Sequence, residues 1–352
     1  MSRAIRIRPA KLVALLLIAG NCLGVSRAGP VATPTAAPPA TQAAAQAAAP
    51  AGDDADQAAQ LYAVPTLRDQ VGRIVAAVMI NGRGPFRFML DTGSNRTVLA
   101  QSVLAKLNLA ADPEASIAVV GVTGSQVAAS AHVDSLDAGA MHFRNADLAV
   151  LSGPVLYGLD GILGMEGFDG LKVSADFVRD LVTISKSRGR RAPALYSAIP
   201  VQLLSERLLM IDAHVGRVPV KAIIDTGSIR TLANGALLAA LTGGQRAAAA
   251  AAPAVPASVI DATQSLQSGL TGRVPAIRLG EATIQNLDVT FGDFQIFRVW
   301  GLEHEPALLI GMDALGTLAD LDIDYQRKEV DMLSRALPPP VLQKKWFSFT
   351  SW

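Results

Sequence analysis

The stretch DTGSNRTV at residues 91–98 occurs a second time, as DTGSIRTL at residues 225–232. Each copy follows directly on an apolar segment, FML at 88–90 and AII at 222–224. The two frames are separated by a constant offset of 134 positions (225 − 91), which also holds upstream. Residues matched there are Gly82-Arg83 with Gly216-Arg217, and Pro85 with Pro219. Such an extended register indicates an internal duplication.

The two copies also correspond downstream of the repeated loops. LGME at 163–166 matches IGMD at 310–313, and Asp176 matches Asp324. The apolar segments before each loop predict buried strands, and Gly-containing turns separate the strands that follow. Each half is therefore predicted to contain a strand, an acidic loop, a hairpin, and an apolar-apolar-Gly segment before a short helix.

These loops and apolar-Gly segments resemble those of the aspartic peptidases of the pepsin and retropepsin type. The resemblance covers roughly residues 66–335 and implies a mostly β, bilobal fold with a pseudo-twofold axis. Each lobe would be a closed β-barrel with a short helix, and the two Asp loops would meet at the base of a cleft. The halves are short for pepsin lobes and lack the flap tyrosine, so the closer likeness is two retropepsin-like units fused in one chain.

Asp91 and Asp225 are the candidate catalytic pair. Two carboxyl groups held within a hydrogen bond of each other cannot both ionise cheaply, so they titrate together and hold one proton between them. One is then a base while the other is an acid. Such a pair can activate a water molecule and protonate the leaving nitrogen without a metal, a cofactor or a covalent intermediate.

Residues adjacent to the two Asp are expected to support the pair. A glycine allows close approach of the two loops and presents its amide to a carboxylate. By resemblance, the threonine hydroxyls would bond across to the opposite loop, and the serine hydroxyls are expected to donate to the outer carboxylate oxygens. The supporting residues are Thr92, Gly93, Ser94, Thr226, Gly227 and Ser228.

Two further segments are candidate flaps over a bound peptide. VVGVTGS at 119–125 is typical of a hairpin with glycine at its turn, and VIDATQS at 259–265 is its counterpart. The alternative is a plain β-turn without a binding role in either case. The candidate substrate-binding residues are Val122, Thr123, Gly124, Ala262 and Thr263.

The N-terminus has the pattern of a secretory signal peptide over residues 1–28. Basic residues precede the apolar run Leu12–Ala19, and Ser26-Arg27-Ala28 supplies small residues for cleavage. Removing its five basic residues changes the formal net charge from +1 to −4, which gives no electrostatic reason to bind nucleic acid. The single cysteine, Cys22, lies inside the leader; a lipid anchor there is the minority interpretation, because Asn21 precedes it.

The remaining chain divides by composition into five further segments. They are an Ala/Pro-rich flexible tether or propeptide at 29–65, an N-terminal lobe at 66–187, a linker at 188–198, a C-terminal lobe at 199–335 and a tail at 336–352. No second apolar stretch reaches membrane-spanning length.

The sequence thus predicts an exported, periplasmic or extracellular aspartic endopeptidase that cleaves extended polypeptides and is active as a single chain. The alternative is a catalytically silent peptide-binding protein of the same fold. The four histidines are scattered, and the patterns of serine hydrolases, phosphate-binding loops and zinc proteases are absent from the sequence.

Overall fold

The computed structural model describes residues 72–153, 156, 158–204, 207–243 and 255–335, and the backbone of two short strands, β1 (Leu12–Ala14) and β2 (Ile18–Ala19). Apart from those strands, the predicted signal peptide with Cys22, the tether at 29–65 and the tail at 336–352 lie outside the described residues. No helix in the described ranges is long and apolar enough to cross a membrane.

The first lobe is a closed barrel of six strands, which are hydrogen-bonded in the order β7-β3-β4-β9-β5-β8, with β8 returning to β7. Its bounds are β3 (Val75–Ile80), β4 (Arg83–Leu90), β5 (Val98–Ala100), α1 (Gln101–Leu107), β6 (Asp112–Val120), β7 (Ser125–Ala138), β8 (Met141–Leu151) and β9 (Gly161–Leu163). Residues 88–90 are wholly buried, as predicted for the apolar segment before the acidic loop. The barrel closure removes unpaired strand edges and encloses an apolar core.

The second lobe repeats this strand order in one sheet. Its bounds are β13 (Gln202–Leu204), β14 (Leu208–Val215), β15 (Val218–Ile224), β16 (Leu232–Ala233), α2 (Gly235–Thr242), β17 (Val255–Asp261), β18 (Leu266–Arg273), β19 (Ile277–Leu279), β20 (Ala282–Ile284), β21 (Asp288–Phe291), α3 (Gln295–Val299), β22 (Ala307–Ile310) and α4 (Met312–Leu315). The long strand β7 of the first lobe corresponds here to β18 and β19. The break contains Pro275, whose missing N–H interrupts a ladder.

A five-stranded sheet contains strands of both lobes. Its strands are β10 (Leu171–Asp176), β11 (Leu181–Lys186), β12 (Ser197–Pro200), β23 (Leu318–Asp324) and β24 (Glu329–Ser334). They are ordered β11-β10-β23-β24-β12, and β10 of the first half pairs antiparallel with β23 of the second. The predicted linker at 188–198 overlaps β12, so its end is part of this sheet, while the other boundaries predicted from composition remain predictions.

One predicted helix is absent from the described part of the first lobe. The segment after Gly164 forms turns, whereas the corresponding segment after Gly311 forms α4. Gly167 and Gly170 have φ values of 79° and 73° in the first copy, a left-handed backbone that ends a helix. The second copy has apolar residues at Ala314 and Leu315 and continues for one turn.

Asp320 gives the shared sheet a pH-dependent stability. Burial, together with the nearby carboxylates of Asp322 and Asp176, raises the pKa of Asp320 to about 6 from 3.8. A carboxyl group whose pKa is raised by folding stabilises the fold fully below its ordinary pKa, and this contribution is lost as the pH rises through about 6. Between about pH 4 and pH 7, the unfolding free energy of the wild type should therefore fall by roughly 1 kcal/mol more than that of Asp320→Asn, allowing for partial solvent screening.

Urea denaturation at both pH values measures this difference. Asp134→Asn is the matched control, because the Asp134 side chain is 79% exposed. An unchanged pH dependence in Asp320→Asn would show that the raised pKa does not contribute to stability.

Candidate active site

The two repeated loops meet between the lobes at equivalent positions. Each follows a buried strand, β4 or β15, and precedes a short one, β5 or β16. The amide of Asp91 donates to the carbonyl of Leu163 at 3.0 Å, and the amide of Asp225 donates to that of Ile310 at 3.0 Å. Each loop is thus fixed to the apolar-Gly segment of its own lobe, and both aspartates are fully buried.

The threonines connect the loops to each other, as the resemblance implies. The Thr92 amide donates to Thr226 Oγ1 at 3.1 Å, and the Thr226 amide donates to Thr92 Oγ1 at 3.0 Å. Each hydroxyl also donates across the axis, Thr92 to Ile224 O at 2.8 Å and Thr226 to Leu90 O at 2.7 Å. These four hydrogen bonds hold the loops in one relative position.

The glycines bring the two carboxyl groups together. The amide of Gly93 donates to Asp91 Oδ1 at 2.9 Å, and that of Gly227 donates to Asp225 Oδ1 at 2.8 Å. A Cβ atom on Gly227 would lie 2.3 Å from the carboxyl carbon of Asp91, so only glycine allows this approach. Oδ2 of each aspartate is buried, and no described residue outside the pair donates a hydrogen bond to it. The loop amides therefore bind Oδ1 of each aspartate and leave Oδ2 to other contacts.

The electrostatics favour a shared proton. Burial raises the pKa of Asp91, and this effect is partly offset by the hydrogen bond with Asp225, the Gly93 amide and the charge of Arg73. Burial also raises the pKa of Asp225 well above its ordinary value, and the negative charge of Asp91 raises it further. The second ionisation is therefore costly, and the pair retains one proton over a wide range of pH.

The serine hydroxyls do not have the role predicted from the sequence. Ser94 Oγ donates to the carbonyl of Arg96 at 2.7 Å, and Ser228 Oγ donates to that of Arg230 at 2.6 Å. Each loop turns back on itself within two residues, which brings its own carbonyl to the hydroxyl. The Ser228 amide, rather than its hydroxyl, donates to Asp225 Oδ1 at 3.1 Å.

One further acidic side chain accepts hydrogen bonds from each loop, and neither acid was among the predicted site residues. The amide of Thr97 donates to Glu166 Oε1, and the amide and hydroxyl of Thr231 donate to Asp313 at 3.1 and 2.7 Å. Burial raises the pKa of both acids. The signal was present in the sequence, because both threonines share the 134-residue offset and an acid follows each apolar-Gly segment.

The two apolar-Gly segments pack directly against the acidic loops. A Cβ on Gly164 would lie 2.3 Å from the backbone of Arg96, and one on Gly311 would lie 2.6 Å from that of Arg230. Both glycine amides donate to threonine hydroxyls of the loops at 3.2 Å. Close backbone packing thus supports each acidic loop.

Both predicted hairpins are present, β6–β7 and β17–β18, and their tips contact each other. The Thr123 amide donates to Asp261 Oδ2 at 2.8 Å, and its hydroxyl donates to Ser265 O at 2.7 Å. Gln126 Nε2 donates to Ala262 O at 3.1 Å, while Asp261 Oδ1 accepts from the amide and hydroxyl of Thr263. We call these contacts the flap clasp. Asp261 was not among the predicted flap residues, because its partner Thr123 is distant in sequence.

The first hairpin also docks into the second lobe. Val122 is fully buried in a cluster with Phe294, Ile296 and Phe297, and its carbonyl accepts from the Ile296 amide at 3.2 Å. A Cβ on Gly124 would lie 2.1 Å from Ser265 Oγ, so the tip needs glycine to pass the other hairpin. The two hairpins are therefore in a closed arrangement.

A family model for aspartyl proteases matches residues 76–166 and 211–314, which is more than half of the chain. The chain belongs to the aspartyl protease family. Each matched range contains one acidic loop and one apolar-Gly segment, as two fused retropepsin-like units require. No curated protein matches the chain. Within the described ranges, no group of three or more His, Cys, Asp or Glu side chains could hold a metal ion.

Gly227 tests the close approach of the loops. We expect Gly227→Ala to destabilise the fold by about 1–3 kcal/mol, because its methyl group would overlap the Asp91 carboxyl group. Gly272→Ala is the control, since nothing lies within 4 Å of the added Cβ, and its effect should stay within about 0.5 kcal/mol. Chemical denaturation of both variants gives the comparison. Equal stability of the two variants would contradict the observed contact between the loops.

Proposed function

We propose that this member of the aspartyl protease family is an exported endopeptidase that hydrolyses peptide bonds with a water molecule activated by Asp91 and Asp225. The observation that carries the proposal is the pairing of two buried carboxyl groups from duplicated loops, whose Oδ2 atoms receive no hydrogen bond from the loop amides. Electrostatic theory gives such a pair a monoanionic state, in which one group is a base and the other an acid.

The monoanion accounts for both halves of the reaction. The ionised carboxylate takes a proton from water as the water oxygen bonds to the peptide carbonyl carbon, and the other carboxyl group protonates the carbonyl oxygen. In the second step the first group gives its proton to the nitrogen, the C–N bond breaks, and the second group regains a proton from a hydroxyl of the diol. The pair returns to its starting state, and the products are an acid and an amine.

The proposed substrate is an extended polypeptide segment, held by the residues around Val122, Thr123, Gly124, Ala262 and Thr263. Supporting this, extended backbone of the chain itself lies along both hairpins: β1 pairs parallel with residues 118–120, and β2 pairs antiparallel with residues 260–261. The pseudo-twofold relation gives β6 and β17 opposite directions. A single extended chain is therefore parallel to β6 and antiparallel to β17. A peptide could add to both edges in this way once the flap clasp opens.

Export and segment boundaries complete the proposal. The basic and apolar N-terminus and the small residues at 26–28 support removal of residues 1–28, and composition supports a tether at 29–65 and lobes at 66–187 and 199–335. N-terminal sequencing of the protein recovered outside the cytoplasm should begin at Gly29. Recovery of an intact Met1 terminus in the cytoplasm would contradict export.

The catalytic pair is tested by single substitutions. Asp91→Asn and Asp225→Asn should each reduce cleavage of a diverse peptide pool by at least about 1,000-fold, because residues acting as one unit lose most of their effect with the first removal. Thermal stability should be equal or greater, since each substitution removes a costly buried ionisation. Mass spectrometry of the products, with and without pepstatin, gives the rates, and Asp134→Asn should cleave as the wild type does.

Three outcomes would change the proposal. Peptide binding without cleavage by the wild type would establish the silent binding protein instead. Near-normal cleavage by either Asn variant would exclude the shared-proton mechanism. Activity regained on mixing the two Asn variants, with a steep fall of specific activity on dilution, would show that the site forms between two chains.

A further inference from the structure

Each aspartate of the dyad accepts a hydrogen bond from its own glycine amide, and Asp225 also accepts one from the Ser228 amide. The buried surroundings of the two aspartates differ more strongly. On the first side, the Leu90 amide donates to Ile74 O at 2.9 Å, continuing the β3–β4 ladder in which Val75 lies opposite Met89. The same register places Arg73 opposite Asp91. Residues directly opposite in an antiparallel ladder project on the same face, with Cβ atoms about 5 Å apart.

Arg73 is a buried cation. It is 1% exposed, and its guanidinium nitrogens are out of reach of solvent. The protein interior screens charges less than water does, so the buried Arg73 charge interacts strongly with the nearby Asp91 carboxyl group. Its positive charge lowers the pKa of Asp91, so it favours the ionised form of that carboxyl group.

The second lobe has no matching cation at this position. Met210 lies opposite Ile223 in the β14–β15 ladder. Two positions further along the ladder, the same register places Leu208 opposite Asp225. Leu208 is fully buried and apolar. The 134-residue offset would match Arg73 with Arg207. In the ladder, however, Arg207 precedes the residue opposite Asp225 by one position, and it forms an ion pair with Asp169 at 3.2 Å.

We propose that Arg73 is the positioning residue that distinguishes the two carboxyl groups, holding the negative charge of the shared-proton state on Asp91 so that Asp225 carries the proton. The proposal rests on the proposed function and deepens it. Asp91 would then take the proton from water, and Asp225 would protonate the peptide carbonyl oxygen.

Other groups near the pair do not reverse this assignment. Asp91 faces the Asp225 carboxyl group from the opposite loop and Arg73 from its own lobe. Tyr325 is close enough to be affected by the Asp91 charge, but burial raises the pKa of Tyr325 and keeps it neutral. Burial and the Asp91 charge raise the pKa of Asp225 and favour its protonated form, and the amides of Gly227 and Ser228 offset this only in part.

A titration that does not depend on catalysis tests the proposal. In protein with ¹³C-labelled aspartate carboxyl groups, Asp225→Asn leaves Asp91 as the only acid of the pair, and Asp91→Asn leaves Asp225. The double Asn variant identifies each resonance by difference. Asp91 should titrate at a lower pH than Asp225 when each is alone, and this comparison requires no change at Arg73.

Arg73→Leu then identifies the cause. Leucine is the residue that the other lobe holds at this position, so its shape suits the site. In the Asp225→Asn background, Arg73→Leu should raise the midpoint of Asp91 by about one pH unit, while in the Asp91→Asn background the midpoint of Asp225 should move much less. Arg207→Leu is the matched control and should shift neither midpoint.

In the active enzyme, Arg73→Leu should move the acidic limb of the kcat/KM profile to higher pH by a similar amount, and Arg73→Lys should restore most of that shift. Equal midpoints of Asp91 and Asp225, or equal shifts of both on Arg73→Leu, would overturn the proposal. Because the midpoints are measured without substrate, absence of cleavage by the wild type would count against the proposed function alone.

Discussion

The reciprocal hydrogen bonds between Thr92 and Thr226 are the constraint on which the rest of the site depends. They join two loops that are 134 residues apart in the sequence, and they hold the two buried carboxyl groups next to each other. Burial and proximity of like charges are both unfavourable, so the surrounding fold must supply the stability that this arrangement costs. It does so through two apolar-Gly segments packed against the loops and through the sheet that β10 and β23 share. The proposed chemistry uses this enforced proximity, because two carboxyl groups that were free to separate would ionise independently.

Symmetry of the backbone coexists with asymmetry of the charges. Duplication gives each carboxyl group an equivalent glycine amide, an equivalent threonine bridge and an equivalent supporting acid, yet peptide hydrolysis needs one base and one acid. The difference between Arg73 and Leu208 supplies a physical basis for unequal roles. A fused chain can acquire such a difference by a change in one lobe, whereas a homodimer of identical units carries every substitution on both sides of its axis.

The hairpins show a similar divergence. The first hairpin buries Val122 in an aromatic cluster of the second lobe, while the second contributes the carboxylate of Asp261 to the flap clasp. The closed arrangement thus combines apolar burial with charge-assisted hydrogen bonds to backbone amides. Opening for a peptide would expose both kinds of contact, and a bound strand with its own amides and apolar side chains could replace them.

The sequence by itself determined the duplication, the acidic loops, the two hairpins and the mostly β character, because these depend on residue types at short range and on a constant offset. It also placed Asp91 and Asp225 in matched settings. Only the tertiary structure decided which distant groups meet. The Ser94 hydroxyl bonds within its own turn, Gly167 and Gly170 replace a helix by turns, and Thr123 contacts Asp261. The same offset would pair Arg73 with Arg207, but a one-residue difference in ladder register brings Leu208 opposite Asp225. Side chains alternate between the two faces of a strand, so that single step decides which residue faces the dyad, and register is fixed by packing across the whole lobe.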